Sequence, residues 1–131
     1  MATTTTLASL QDKLALLSQE YQSLQIELST VIDARQKLDA QLQENELVKK
    51  EFASLTPNNT VYKLVGPVLV PQDQAEAKSN IETRLDFIRG DVKRVEGQLK
   101  DLGDKSETKK LELVEVQTAI QQLQQGPSGA K

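Results

Sequence analysis

The chain has no cysteine, no histidine and no tryptophan, and only two tyrosines and two phenylalanines among 131 residues. Without thiols or imidazoles there are no disulfides, no thiol nucleophile, no histidine base and almost no route to a zinc site. Glycine is scarce as well, and Gly66 stands outside any phosphate-cradling glycine loop. Carboxylates such as Glu44 and Glu46 are present, but acid–base catalysis needs a concave, water-excluding pocket to shift their pKa values. Charge of one sign is also missing: 16 basic and 19 acidic residues intermix to a net charge of -3, which leaves no electrostatic footprint for nucleic acid or an anionic membrane. Basic runs such as Lys93-Arg94 and Lys109-Lys110 have Asp91, Glu96, Glu107 and Glu112 beside them and read as solvated helix faces. The longest apolar runs, Leu14 to Leu17 and Val68 to Val70, fall far short of a membrane span or a signal-peptide core. These absences predict a soluble, untargeted intracellular protein that binds no metal or cofactor, touches no nucleic acid or membrane, and is not an enzyme.

What is present is a pair of long ladders with apolar residues spaced three and four apart. The first runs through Leu7, Leu10, Leu14, Leu17, Tyr21, Leu24, Leu28, Val31, Arg35, Leu38, Leu42, Asn45, Lys49 and Phe52. The second runs through Ile81, Leu85, Ile88, Val92, Val95, Leu99, Leu102, Ser106, Lys109, Leu113, Val116, Ile120 and Leu123. A 3.5-residue period sustained this long is the mark of a coiled coil, because a globular helix drifts off it. Two such helices joined by a turn should fold back as an antiparallel hairpin, mainly α, with a seam for a core. Tyr21 fits a seam position and is expected to pack. Arg35, Asn45 and Lys49 interrupt the first seam and are expected to fix register. Ser106 and Lys109 interrupt the second at successive positions, which either loosens the pairing locally or lets Lys109 snorkel outward.

Between the ladders the character changes. Thr56-Pro57 should stop the first helix and Asn58-Asn59 adds a turn signal. Thr60 to Val65 and Val68 to Pro71 are rich in β-branched residues and flank Gly66-Pro67, which predicts a β-hairpin with Pro71 closing its strand. Asp73 followed by Glu76 resembles a capping box that starts the second helix. The organisation is therefore a tail over 1–6 whose last threonine caps the helix, a coiled-coil helix over 7–56, a β head over 57–72, a second helix over 73–125 and, after Gly126-Pro127, a tail over 126–131.

The hairpin is apolar on both faces, through Val61, Tyr62, Leu64, Val65, Val68, Leu69 and Val70. A lone two-stranded hairpin is marginal in water and exposes two edges. Either it pairs with hairpins of other subunits in a closed sheet, or it folds back on the base of its own coiled coil. At the opposite end of the predicted arm, Leu7, Leu10, Leu14, Leu16 and Leu17 meet Leu111, Leu113, Val114, Val116 and Ile120. Leu16, Leu111 and Val114 are off the seam and should face outward, so this tip suggests an apolar surface for non-native chains. A structural tether, docking one folded partner at its tip, is the alternative.

The block Asn58-Asn59-Thr60-Val61-Tyr62-Lys63-Leu64-Val65-Gly66-Pro67-Val68-Leu69-Val70, continuing into Asp73, resembles the β-type subunits of prefoldin, and the likeness extends through Ile81-Glu82-Thr83-Arg84-Leu85-Asp86-Phe87-Ile88. The resemblance implies a cytoplasmic heterohexamer of α-type and β-type subunits whose hairpins join an intersubunit β-barrel and whose coiled coils hang from it. It implies, further, an ATP-independent chaperone that grips non-native actin and tubulin at its tips and passes them to the cytosolic chaperonin. A single hairpin, where α-type chains carry two, is what assigns the β class.

Overall fold

The computed structural model describes the backbone of residues 2–129 and the side chains of 6–125. Its elements are helix α1 (Ala2–Ala53), strands β1 (Val61–Val65) and β2 (Val68–Gln72), and helix α2 (Gln74–Gly129). The 3.5-residue ladders are the pairing surfaces: every α2 seam residue from Ile81 to Leu123 is buried or half-buried, and so is every α1 seam residue from Leu7 to Phe52 except Lys49. By compactness the chain divides into two units, Asp33–Glu96 and Met1–Ile32 with Gly97–Lys131.

In the unit over 33–96 the core is Ala77, Ile81, Leu85, Ile88 and Val95, with Leu85 wholly buried at 0% exposure. Across the seam Arg35 pairs with Glu96 at 3.1 Å, Glu46 with Arg89 at 3.7 Å and Lys49 with Glu82 at 2.6 Å. Partner numbers on α2 fall as those on α1 rise, so the helices run antiparallel. Such exposed pairs contribute only about 0–1 kcal/mol each, but a slipped register would break them together.

The unit over 1–32 and 97–131 repeats the pattern with Leu17, Leu102 and Val116 buried. Here the two polar interruptions of the α2 seam have partners on α1. The Gln25 amide Nε2 donates to the buried Ser106 hydroxyl Oγ, and the Lys109 ammonium reaches Glu20 across the seam and Glu112 at 3.9 Å on its own helix. The point at which the seam was expected either to loosen or to let Lys109 snorkel outward is thus bridged by polar contacts in place of apolar ones.

The ends of the elements differ from expectation in four places. Residues 2–6, expected as a tail, are helical from Ala2, since nothing in Thr3 to Thr6 breaks a helix; Thr6 therefore lies inside α1 and is no cap. At the other end α1 stops at Ala53, before 56, because the last turn tightens: the Ser54 and Leu55 amides donate to the carbonyls of Glu51 and Phe52 at 3.1 and 3.2 Å. Pro71 does not end its strand, which continues to Gln72. Gly126-Pro127 does not end α2, which keeps helical backbone to Gly129, as the bias before proline is a preference and the proline removes a single donor. The remainder of the tail assigned to 126–131, and Met1 of the tail assigned to 1–6, lie outside the described residues.

The junctions follow their sequence signals. Pro57 occupies the second position of a turn in which the Asn59 amide donates to the Thr56 carbonyl at 3.0 Å, while the Asn59 Oδ1 accepts from the Thr56 amide at 2.8 Å. Gln74 Nε2 then donates to the carbonyls of Thr56 and Asn59 at 2.8 and 2.6 Å, tying the linker to the start of α2. Asp73 caps α2, its Oδ2 accepting from the Glu76 amide at 3.1 Å.

Two outcomes follow from this seam. Leu85→Ala should destabilise the helix pair by about 2–5 kcal/mol, whereas Phe87→Ala, two positions away but 72% exposed, should change stability by less than about 0.5 kcal/mol. Denaturant unfolding followed by far-ultraviolet circular dichroism distinguishes them. The hydrogen bond to Glu20 raises the Lys109 pKa above its ordinary 10.5, against a smaller opposing effect of desolvation and with help from the Glu112 and Glu20 charges. Because the folded-state value is the higher one, the contribution is complete below the unfolded value and is lost as pH rises through the folded value. The stability difference between the parent and Lys109→Gln should stay constant from neutral pH to mildly alkaline pH and shrink only beyond the ordinary lysine range.

Candidate assembly and binding surfaces

Strands β1 and β2 pair antiparallel with Val61 opposite Gln72, Tyr62 opposite Pro71, Lys63 opposite Val70, Leu64 opposite Leu69 and Val65 opposite Val68. Directly opposed residues share a face. One face is therefore Tyr62, Leu64, Leu69 and Pro71, with no polar side chain except the tyrosine hydroxyl. The other is Val61, Val65, Val68 and Val70 with Lys63 and Gln72. The turn that makes this register possible places Gly66 at φ 59°, a left-handed value for which glycine has no steric penalty, and follows it with a proline whose φ is fixed near −65°. These signs are those of a type II′ turn, whose twist matches the flanking strands.

Of the hairpin residues expected at an interface, Tyr62, Leu64, Val65, Val68, Leu69 and Val70 are all exposed in the single chain, Leu64 at 68% and Leu69 at 62%. Val61 is half-buried. The base of the hairpin borders a groove of about 300 Å³ with Val48, Phe52, Ala77, Ile81 and Arg84 among its walls. Val61 and Tyr62 line this groove as well, yet of the strand residues only Val61 and Gln72 are half-buried and the rest of both faces remains uncovered. Folding back on its own helices therefore buries only the foot of the hairpin.

The residues expected at the tip separate into two groups. Leu17 and Val116 are buried, and Leu7, Leu10, Leu14, Leu113 and Ile120 are half-buried, because seam side chains are covered by one another. Leu16, Leu111 and Val114 are exposed at 56%, 58% and 51%. Leu16 lines an open groove of about 860 Å³ in the unit over 1–32 and 97–131, together with Leu24, Gln19, Glu20, Lys105, Thr108 and Lys109. Leu111 and Val114, three apart on the outward side of α2, do not line it. The groove was not legible from the seam pattern, since apart from Leu24 and Lys109 its walls are flanking positions of two helices whose register the ladder alone leaves open. Ile26, Leu47 and Phe87 are further exposed apolar side chains; their off-seam positions were the available signal.

Among the described residues there is no group of three or more His, Cys, Asp or Glu placed to hold a metal, and no helix is long and apolar enough to cross a membrane.

Residues 15–126 match the family model described as prefoldin subunit. Among similar proteins, prefoldin subunit 6 of Bos taurus is 45% identical over 121 residues, covering 92% of this chain and 94% of that one. Prefoldin subunit 6 of Saccharomyces cerevisiae is 44% identical over 100 residues, 76% of this chain and 88% of the relative. Among solved structures, the prefoldin beta subunit from Thermococcus strain KS-1 superposes with a TM-score of 0.74 at 23% identity, covering 82% of this chain and 92% of that one, which speaks to the fold. With two helices flanking a single apolar hairpin, and a family match that spans nearly the whole chain, this protein belongs to the prefoldin subunit family.

Proposed function

We propose that the chain is a β-type subunit of a cytoplasmic heterohexameric prefoldin complex, an ATP-independent chaperone that holds unfolded proteins of the actin and tubulin class and delivers them to the cytosolic chaperonin. The observation that carries the reading is the hairpin, exposed in the single chain and mostly apolar on both faces, with Lys63 and Gln72 the polar members of one. A two-stranded sheet of this kind is marginal alone and finds its cover in hairpins of neighbouring α-type and β-type subunits. Closing the sheet into a barrel removes the free edges.

Client holding is assigned to the exposed apolar side chains beside the seam, Leu16, Leu111 and Val114, with the half-buried seam residues Leu7, Leu10 and Leu14 of α1 and Leu113 and Ile120 of α2 as a reserve. Each exposed leucine buried against a client contributes about 1.5–3 kcal/mol before ordering costs. One subunit therefore holds weakly. Several subunits in one complex gain by effective concentration, which tolerates many client sequences and still permits release. Holding of this kind calls for no catalysis and no nucleotide.

Replacing Leu64 and Val68 together with Asp places unpaired charges on both faces of the sheet, at several kcal/mol per site once it is buried. The variant should lose incorporation into the complex and keep its helical circular dichroism; normal co-purification with partner subunits would refute an assembly role for the head. The combined variant Leu16→Ser, Leu111→Ser, Val114→Ser leaves the buried seam intact, so the complex should still assemble. Its suppression of aggregation of denatured actin or tubulin, measured by light scattering at equal molar ratio, should fall severalfold, and full retention would move the client surface elsewhere.

A further inference from the structure

Opposed residues of an antiparallel pair alternate between pairs that exchange backbone hydrogen bonds and pairs whose N–H and C=O groups point away from the partner strand. A two-residue loop closes on a bonded pair, here Val65 with Val68. Alternation makes Lys63–Val70 and Val61–Gln72 bonded pairs too, and it turns the backbone groups of Leu64, Leu69, Tyr62 and Pro71 outward. Pro71 is an independent check on this assignment. Having no N–H, it would interrupt the ladder at a bonded position, yet β2 continues past it to Gln72. The outer edge of β1 thus carries an amide and a carbonyl at both Tyr62 and Leu64. The outer edge of β2 carries both at Leu69 but only a carbonyl at Pro71.

We propose that the two edges of the hairpin are unequal subunit junctions: the β1 edge at Tyr62 and Leu64 takes the strand of one neighbouring subunit in an uninterrupted ladder, while Pro71 confines the junction on the β2 edge to Leu69. The inference rests on the hairpin being the assembly element. The occupant is a strand from another subunit, because the groups to be satisfied are backbone donors and acceptors at the two-residue spacing of an extended chain, flanked by apolar side chains on both faces. A helix, whose backbone groups are already paired, leaves them unsatisfied. On the β2 side a strand running past Leu69 sets a carbonyl against the Pro71 ring and finds no donor. The hairpin therefore has a polarity, with a firm neighbour on one side and a looser one on the other, and Pro71 blunts the second edge against uncontrolled strand addition.

The test co-expresses variants with the other subunits of the complex and reads, by native mass spectrometry, the intact assembly and the subcomplexes that hold this chain with one neighbour. Leu64→Pro removes the outward β1 amide and Leu69→Pro the outward β2 amide; Leu64→Ala and Leu69→Ala reduce the same side chains and keep the amides. Leu64→Pro should deplete one particular neighbour by about tenfold relative to Leu64→Ala, the effect of one lost hydrogen bond with a buried group left unpaired. Leu69→Pro should affect only the other neighbour. Pro71→Val, which restores a donor, should raise recovery of that second subcomplex by about tenfold and leave the first unchanged. Because Pro71→Val adds an amide, it decides the matter even where a new proline disturbs the hairpin itself. Equal behaviour of Leu64→Pro and Leu64→Ala, or no change with Pro71→Val, overturns the inequality of the edges. If the Leu64→Asp, Val68→Asp variant also assembles normally, the assembly reading falls with it; if that variant fails to assemble, only the inequality falls.

Discussion

The structure depends on one apolar stripe covering another. Each helix presents residues every 3.5 positions, and neither stripe has a globular core to enter, so each is covered by the other. That constraint sets which side chains are left over. Leu85, Ile88 and Val95 vanish into the seam, while Phe87, two residues from one of them and one from another, stands in solvent. With the helices engaged in this way, little apolar surface remains to cover the hairpin, which stays exposed apart from its foot.

An apolar seam alone is permissive about register, since a shift of one heptad still places leucine against leucine. The polar seam residues with partners on the other helix are not permissive; Asn45, whose amide donates to the Gln41 carbonyl of its own helix, is not among them. Arg35 meets Glu96, Lys49 meets Glu82 and, in the other unit, Lys109 meets Glu20 and Ser106 accepts from Gln25. Individually these are weak, being partly solvated and screened by salt. Collectively they select one alignment, because a slip strands a buried hydroxyl and several charges at once. Replacing Ser106 or Lys109 with leucine would add apolar burial and remove part of that selection.

The hairpin combines a foldability problem with its remedy. Apolar residues on both faces and open edges are an aggregation hazard in a free chain, and the same features suit a sheet completed by several subunits. Membership of the prefoldin family accords with that second outcome. On the proposed reading the exposed leucines beside the seam are tolerable for a related reason: scattered singly along a helix, they bind any one chain weakly.

Much of this was legible in the residues. The 3.5-residue ladders identified both helices and the seam, the register of those ladders placed Leu16, Leu111 and Val114 outside it, and Gly66-Pro67 between β-branched runs marked the hairpin, because each of these signals is local and set by backbone geometry. Sequence could not show which polar seam residues had partners, since Lys109 and Glu20 are brought together only when two distant stretches choose an alignment. For the same reason the groove beside Leu16 was hidden, and the pairing of Tyr62 with Pro71, which assigns the faces and edges of the hairpin, became visible only with the turn closed. The helix ends depart from the local signals for different reasons: each of Thr3 to Thr6 carries a preference of well under about 1 kcal/mol, whereas Pro127, which costs about 3 kcal/mol inside a helix, is accommodated within the last turn of α2. Period and turn chemistry belong to the sequence, whereas alignment, and with it every partner across the helix pair, is decided by the simultaneous burial of the two stripes.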